Sequence, residues 1–536
     1  MPSIDRATPR ISVRLYKSIM RKPGDAGLPT SERYANKEAF IDLTPFLGDG
    51  ASITTGKNVR QPAGTFSVTF ADRPNLSGQA LGPVLDTAGL ESVYGLAEPM
   101  DIIEIRMWGG LGICPNPLPI KMRGFITEIS RGRQMGNDGK PIRTVVVNGQ
   151  DYGKVLQSYQ ILYLPSYQGS QPLLTGFNFF EQFGADAQNT ITGGEFIKLI
   201  LDKAINPMLD TLIPKHSPMP RVIQADIQST GMMNNSYMNT EGSVYNLFTQ
   251  FLDVGIWNEL FIEDREDGVF LVWRPVPAFD LISGKTTQGL SAMPIFISVP
   301  DNKIVSIKQS RSDEAVFNYY WCTNQRFDLA DDMYRRLEAF MAGGQNETMN
   351  YPNTAHKYYG IRAMYADSVM TGEDVTNQTS GLPAGEQEQR GGEVEQWLIS
   401  RRQVMIDNNK DNVVLENGSV QIKGGPTRPK TTDAMKPGDY ITVLDGQISW
   451  SAYAVNIQDN FIPYRSYTTN IDFERGTGFA ERVSQSSGNS PWLKEQATRK
   501  DAVNSTGEVS PDPRLDGAFD WLDRPSPSIG WTGGKS

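Results

Sequence analysis

Apolar and polar residues alternate with a period of two along much of this chain. In 467–476, Tyr467, Thr469, Ile471 and Phe473 take one set of positions, and Thr468, Asn470, Asp472 and Glu474 the other. Such alternation predicts a strand with one buried and one wet side. Stretches 435–443 and 453–457 read the same way, as further strands of one antiparallel barrel. Upstream, Phe66, Val68 and Phe70 alternate with Thr65, Ser67 and Thr69, and Ile103, Ile105 and Met107 with Ile102, Glu104 and Arg106. Phe125, Thr127 and Ile129 form another set, and Asn137-Asp138-Gly139-Lys140 is a hairpin signal before a strand at 144–147. Strands and turns without a long helix, up to about residue 165, predict a barrel or sandwich.

The pattern changes to helical spacing in 166–300. Thr192 and Glu195 form a capping box ahead of Phe196, Ile197, Ile200, Leu201 and Ala204. Ser243 caps a second helix carrying Val244, Leu247, Phe248, Phe251 and Leu252, which runs into a hairpin at 260–273 turning at Asp267-Gly268. Beyond it, 304–309 and 316–322 are strand candidates. Residues 324–392 form a polar insert, in which 375–392 reads as a mobile loop. A helix with Val394, Trp397, Leu398, Val404 and Met405 precedes the last strands, and from Val483 onward the composition is that of a disordered tail.

Composition sharpens this picture. The 51 glycines and 34 prolines in 536 residues suit a turn-rich β chain, and the length implies three or four domains. A net charge of −10 argues against a surface built to grip nucleic acid, although a polyanion could slide past it. Cys114 and Cys322 give no disulfide framework and no thiolate zinc site. The first twenty residues lack the apolar core of a signal peptide, and no apolar run is long enough to span a membrane. The expectation is therefore assembly in a reducing cytoplasm.

Catalytic chemistry finds little support. His216 lies in a Pro-rich loop and His356 beside aromatics, and any Ser-His-Asp or Cys-His arrangement would need one of them. Residues 50–58 imitate a phosphate loop, but five residues separate Gly50 from Gly56 and Asn58 stands where Ser or Thr is needed; a hairpin is the plainer reading. Asp407, Asn409 and Asp411 lack the Gly and Glu of a calcium loop and read as a solvated helix end. Glu263, Asp264, Glu266 and Asp267 crowd a hairpin tip, where hydrated charge is the simplest expectation. No catalytic, cofactor or metal residue is assigned, and no cofactor is expected.

In order, these segments resemble the baseplate hub family of contractile phage tails, which includes the late control gene D proteins and the base of type VI secretion spikes. The resemblance is carried by 64–70, 148–152, 243–273, 303–313, 316–318, the helix from Glu393, Gly424-Gly425-Pro426, Lys436-Pro437-Gly438-Asp439 and Arg475-Gly476. It implies a β-rich α+β fold with two tube-like antiparallel β-barrel domains, in 1–165 and in 301–323 plus 393–480. An α+β region (166–300) lies between them, the polar insert (324–392) interrupts the second, and a flexible tail (481–536) follows. It also implies a non-enzymatic homotrimeric ring that adapts a sixfold tail tube to a threefold spike. Implied partners are tail tube or distal tail proteins, the central spike, the tape measure protein and baseplate wedge proteins. DNA would pass through the lumen without specific binding, and three chains at −10 each would make that ring polyanionic. The implied location is the virion tail tip or baseplate. The rival expectation, from another class, is a secreted or surface carbohydrate-binding or carbohydrate-active β-protein.

The tail carries one further expectation. Leu515, Phe519 and Leu522 fall on one face of two helical turns, with Trp521 beside them and Asp512 and Asp516 near the start. These residues are expected to dock on a neighbouring subunit or on a spike, with packing onto their own barrel as the alternative.

Overall fold

The computed structural model describes residues 9–18, 40–48, 50–72, 93–109, 114–135, 139, 141–161, 192–233, 242–277, 279–282, 284–286, 294–324, 351–371, 384–429, 433–446 and 448–489. The fold is β-rich α+β and is organised by one sheet of thirteen strands. The N-terminal half contributes β1 (Arg10–Tyr16), β2 (Ile41–Asp42), β3 (Ser52–Asn58), β4 (Thr65–Ala71), β5 (Ile102–Trp108), β6 (Ile120–Met135) and β7 (Pro141–Asp151). Gly153–Ser158 (α1), Gly193–Ile200 (α2) and Val244–Phe251 (α3) belong to the helical region, with Ile223–Ile227 (β8) and the hairpin Asn258–Arg265 (β9) and Gly268–Pro275 (β10). The principal elements that follow are β11 (Phe296–Val299), β12 (Ile304–Ser310), β13 (Tyr319–Asn324), β14 (Ala363–Ser368), α4 (Ala384–Asn409), β15 (Glu416–Lys423), β16 (Tyr440–Asp445), β17 (Ile448–Ile462), β18 (Ser466–Gly476) and α5 (Gly478–Asn489).

One long strand joins the two halves. On one edge β17 pairs with β18 along most of its length. On its other edge it pairs first with β16, Tyr453 opposite Tyr440, and then with β3, from Asn456 opposite Asn58 to Phe461 opposite Ile53. The sheet therefore runs without a break from β12 through β15, β18, β17, β3, β4, β7, β6 and β5 to β1 and β2.

Period-two alternation sends side chains from this sheet into two separate cores. Val13, Leu15, Ile53, Val68, Phe70, Ile105 and Val147 fill the first. Val299, Ile422, Val443, Trp450, Ile471 and Phe473 fill the second. Strands on opposite sides of each core supply its side chains, so each half curls around its own interior. β11 enters the second half in parallel with β16, upstream of residue 301. β13 leaves it to pair in parallel with β14, whose buried side packs with Leu398, Met405 and Ile406 of α4.

A third core belongs to the helices. The Thr192 hydroxyl accepts the Glu195 amide at 3.1 Å while the Glu195 carboxylate accepts the Thr192 amide at 3.0 Å, the reciprocal cap expected from those two residues. The Ser243 hydroxyl accepts the Asn246 amide at 3.2 Å. Phe196 of α2 and Phe248 of α3 meet edge to face with ring centres 6.0 Å apart.

Two local expectations are corrected. Residues 384–392, read as the end of a mobile loop, form the first turns of α4. Helix α5 continues past Val483 to Asn489 before the described chain ends. The docking residues Leu515, Phe519, Trp521 and Leu522 lie outside the described residues. Among the described residues no helix is long and apolar enough to cross a membrane.

The β6–β7 hairpin projects beyond its neighbours, and Arg133 stands directly opposite Arg143 on its exposed end. Like charges at paired positions destabilise a ladder. Arg143→Glu should therefore stabilise the protein by about 0.2–1 kcal/mol. A urea midpoint that rises relative to the wild type, with the gain shrinking in 1 M salt, is the expected result.

Candidate functional site

The β9–β10 hairpin lies between the two halves of the sheet and is buried on both faces. Paired positions in an antiparallel ladder share a face. Leu260 and Trp273, Ile262 and Leu271, and Asp264 and Val269 are such pairs, and the apolar members enter the helical core. On the other face Phe261 opposite Val272 and Glu263 opposite Phe270 meet the barrel side. There Phe261, Phe270 and Val272 pack with Val59, Tyr440, Tyr453 and Val455. Glu259, Glu263 and Asp264 are all buried, so each carboxylate requires a counter-charge or donors. The expectation that Glu263 and Asp264 are simply hydrated tip charges is therefore wrong for these two.

Asp264 receives the ammonium of Lys57 from β3 at 2.6 Å, and Lys57 also contacts Asp151 at the end of β7 at 3.1 Å. The Arg123 backbone amide donates to Asp264 as well, at 3.2 Å. Burial works against the Lys57 charge, but Asp264 and Asp151 outweigh it and hold the ammonium above the ordinary lysine value. Asp151 moves up from the usual carboxylate range because its burial outweighs the pull of Lys57. Lys57 is thus a structural cation that ties β3, β7 and the hairpin together.

Glu263 faces the other half of the molecule. Arg428 lies 3.1 Å from it, Lys436 3.3 Å and Arg265 3.0 Å. Burial pushes this carboxyl up, yet the three cations, Lys436 and Arg428 foremost, hold it well below the usual carboxylate range. Arg428 also grips Asp439 at 2.8 Å, and the Lys436 amide donates to Asp439 at 2.9 Å. The segment Lys436-Pro437-Gly438-Asp439 is therefore a docking corner: Gly438 has φ of 85°, and a Cβ there would strike the Arg274 guanidinium at 1.9 Å. Arg274 donates to the Gly438 carbonyl at 3.1 Å and pairs with Glu259, which accepts the Tyr453 hydroxyl at 2.7 Å.

Two further links complete the junction. Glu104 on β5 pairs with Arg106 at 2.7 Å and with its register partner Arg123 at 3.1 Å, and Arg106 reaches Glu266 at the hairpin tip at 3.1 Å. Lys121 on β6 meets Asp459 on β17 at 3.0 Å, and Asp459 also accepts the hydroxyls of Tyr467 and Thr469. Lys57, Lys121, Glu263, Asp264, Lys436 and Asp459 border a cavity of about 20 Å³, room for a single water. Chemically this arrangement holds elements in place. Among the described residues there is no group of three or more His, Cys, Asp or Glu positioned for a metal ion.

The other sequence candidates are dispersed. His216 is exposed in its loop and His356 opens a single helical turn. Asp407 pairs with Lys410, and Asp411 accepts the Asn353 amide. Cys114 and Cys322 are both free. Glu104, Arg106, Lys121, Arg123 and Arg428 were not among the residues singled out from the sequence for charge chemistry, and Asp439 entered only within a turn motif. The available signal was in the alternating positions themselves: charged residues of opposite sign occupy the non-core side of β5 and β6.

Lys57→Met leaves Asp151 and Asp264 buried without their cation and should cost about 3–5 kcal/mol in chemical unfolding. Adding Asp264→Leu should recover part of that loss, as a double-mutant cycle reads directly. The Glu263 contribution has a defined pH sign. Because the folded carboxyl is depressed, its stabilisation is complete above the unfolded value of about 4.3 and is lost as pH falls toward the folded one. The stability gap between wild type and Glu263→Gln should be largest at pH 7 and narrower at pH 3.5, measured by urea midpoints.

No family model and no curated protein matches this chain. Solved structures similar to it include the tail protein from Neisseria meningitidis MC58, at 9% identity over 87% of this chain and 96% of that one, with a TM-score of 0.42. The 43 kDa tail protein of prophage MuSo2 from Shewanella oneidensis is similar at 12% identity over 87% and 96%, with a TM-score of 0.41. An E. coli component of the type VI secretion system, itself described as similar to T4 bacteriophage tail proteins, follows at 8% identity over 79% and 72%, with a TM-score of 0.36.

Proposed function

We propose that this protein is a structural hub of a phage-type tail, a trimer whose three chains each present two barrel-like halves to form a pseudo-sixfold ring. The observation that carries this reading is the continuous sheet with two separate cores, locked by a buried hairpin. A symmetry adaptor needs two comparable surfaces per chain held at a fixed relation, and that relation is what the ion pairs around Lys57, Glu263 and Asp459 enforce. The sheet also ends on β12, which has β15 as its only strand neighbour among the described residues and a mostly exposed pattern. An edge of this kind is a site for pairing with another chain. In this reading the central spike and the tail tube or distal tail proteins bind opposite faces, with tape measure and wedge proteins as further contacts. DNA then crosses an acidic lumen without specific binding, at the tip of the virion tail, after assembly in the host cytoplasm. The protein acts by holding components and performs no catalysis.

Light scattering and negative-stain imaging of the full chain test this directly. A species at roughly three times the 59.4 kDa chain mass with a central opening is expected. A monomer that persists at tens of micromolar, or a closed dimer, would falsify the proposal.

A further inference from the structure

A groove of about 1040 Å³ opens between the two halves of the sheet, at the end where β17 turns into β18. That size is at the upper end of pockets that enclose ligands. Ile11 and Leu47 line it from the first half, and Val305 and Phe461 continue the apolar floor. Lys303, Lys423 and Arg465 stand around it, and among the described residues no Asp or Glu lines it. In a chain of net charge −10, three cations gathered along one wall of described residues are a local reversal of sign.

Tyr464 marks the mouth. It is 92% exposed and has φ of 63°, in the left-handed region where Gly or Asn is easily accommodated and a bulky side chain is not. The turn closes with the Arg465 amide donating to the Ile462 carbonyl at 3.1 Å. Backbone strain and exposure of a large aromatic ring coincide at the rim of an apolar, basic groove, a combination typical of binding positions.

We infer that this groove receives the C-terminal segment 515–523 of the same chain. That segment reads Leu-Asp-Gly-Ala-Phe-Asp-Trp-Leu-Asp, with Leu515, Phe519, Trp521 and Leu522 as anchors and Asp516, Asp520 and Asp523 as its charges, with no cation inside it. Three carboxylates and four apolar anchors complement three cations and an apolar floor. Residues 1–8, which adjoin the groove through Pro9, carry one Asp and one Arg and no aromatic ring, and match it less well. The reach is ample. Described chain ends at Asn489, and the stretch 490–514 spans roughly 80 Å when extended at about 3.3 Å per residue. The groove lies at the far end of β18 from α5, and that strand covers only about 35 Å. A tether of this length keeps the segment at high local concentration, so modest contacts suffice to seat it. The inference stands independently of the hub reading, since it concerns one chain.

Photocrosslinking in the full-length protein tests it. With p-benzoylphenylalanine in place of Phe519, irradiation should produce adducts that map by mass spectrometry to 302–305, 423–424 or 461–468. In a mixture of isotopically heavy and light protein these adducts should join segments of the same label only. The exposed double variant Lys423→Glu/Arg465→Glu should lower the yield about tenfold or more, the effect of losing some 1.4 kcal/mol or more of attraction. Adducts elsewhere, no adduct, or a yield unchanged by the double variant would each overturn the assignment. Heavy–light adducts would overturn it in favour of a second copy as the source of the segment.

Discussion

Everything in this structure depends on neutralising the charge that one hairpin brings into the interior. Glu259, Glu263 and Asp264 sit in a region that would otherwise be apolar, and an uncompensated carboxylate there costs several kcal/mol. The hairpin supplies Arg265 and Arg274 itself, and the other counter-charges come from far away in sequence: Lys57 from β3, Arg428 and Lys436 from the loop between β15 and β16. Full neutralisation of Glu263 and Asp264 therefore requires both halves of the sheet to be placed against the hairpin. Folding of the three regions is coupled by electrostatics as well as by packing.

Such a junction favours one arrangement over neighbouring ones. An apolar interface tolerates small slides, because one methyl group substitutes for another. Here a shift of one residue along β9 would turn Asp264 away from Lys57 and Glu263 away from Arg428, since successive side chains point to opposite faces. The shared strand adds to this. β17 holds β16 and β3 on the same edge, so the two cores are fixed in one backbone ladder before any side chain is counted.

The local features of this fold were legible in the sequence. Alternation at 65–70, 102–107 and 467–473 marks true strands, and the caps at Thr192 and Ser243 form as their chemistry requires. These signals lie within a few residues and do not depend on the rest of the chain. The junction was legible only as opposite-sign charges on the polar sides of β5 and β6, because a strand's polar face looks much the same whether it meets water or a buried partner. Glu104 and Arg106 alternate with Ile103 and Ile105 as a wet face would, yet both are buried. Helix α4 was partly missed for a related reason. Its first turns are Gly-, Glu- and Gln-rich and lack an apolar stripe, and the apolar residues start at Val394.

Placing charge rather than hydrocarbon at this junction has a mechanical consequence. A load that pulls the halves apart would have to expose Lys57, Glu263 and Asp264 to a partly dry gap before water could fill it. Ions separated in a low-dielectric gap attract more strongly than in water, so resistance is greatest over the first few ångströms. Apolar contacts lose most of their attraction over a comparable short distance and offer no directional restoring force. The ionic junction therefore suits a part that must keep its two halves in register under stress. The shared β17 ladder adds backbone hydrogen bonds to both neighbours, β18 on one edge and β3 on the other.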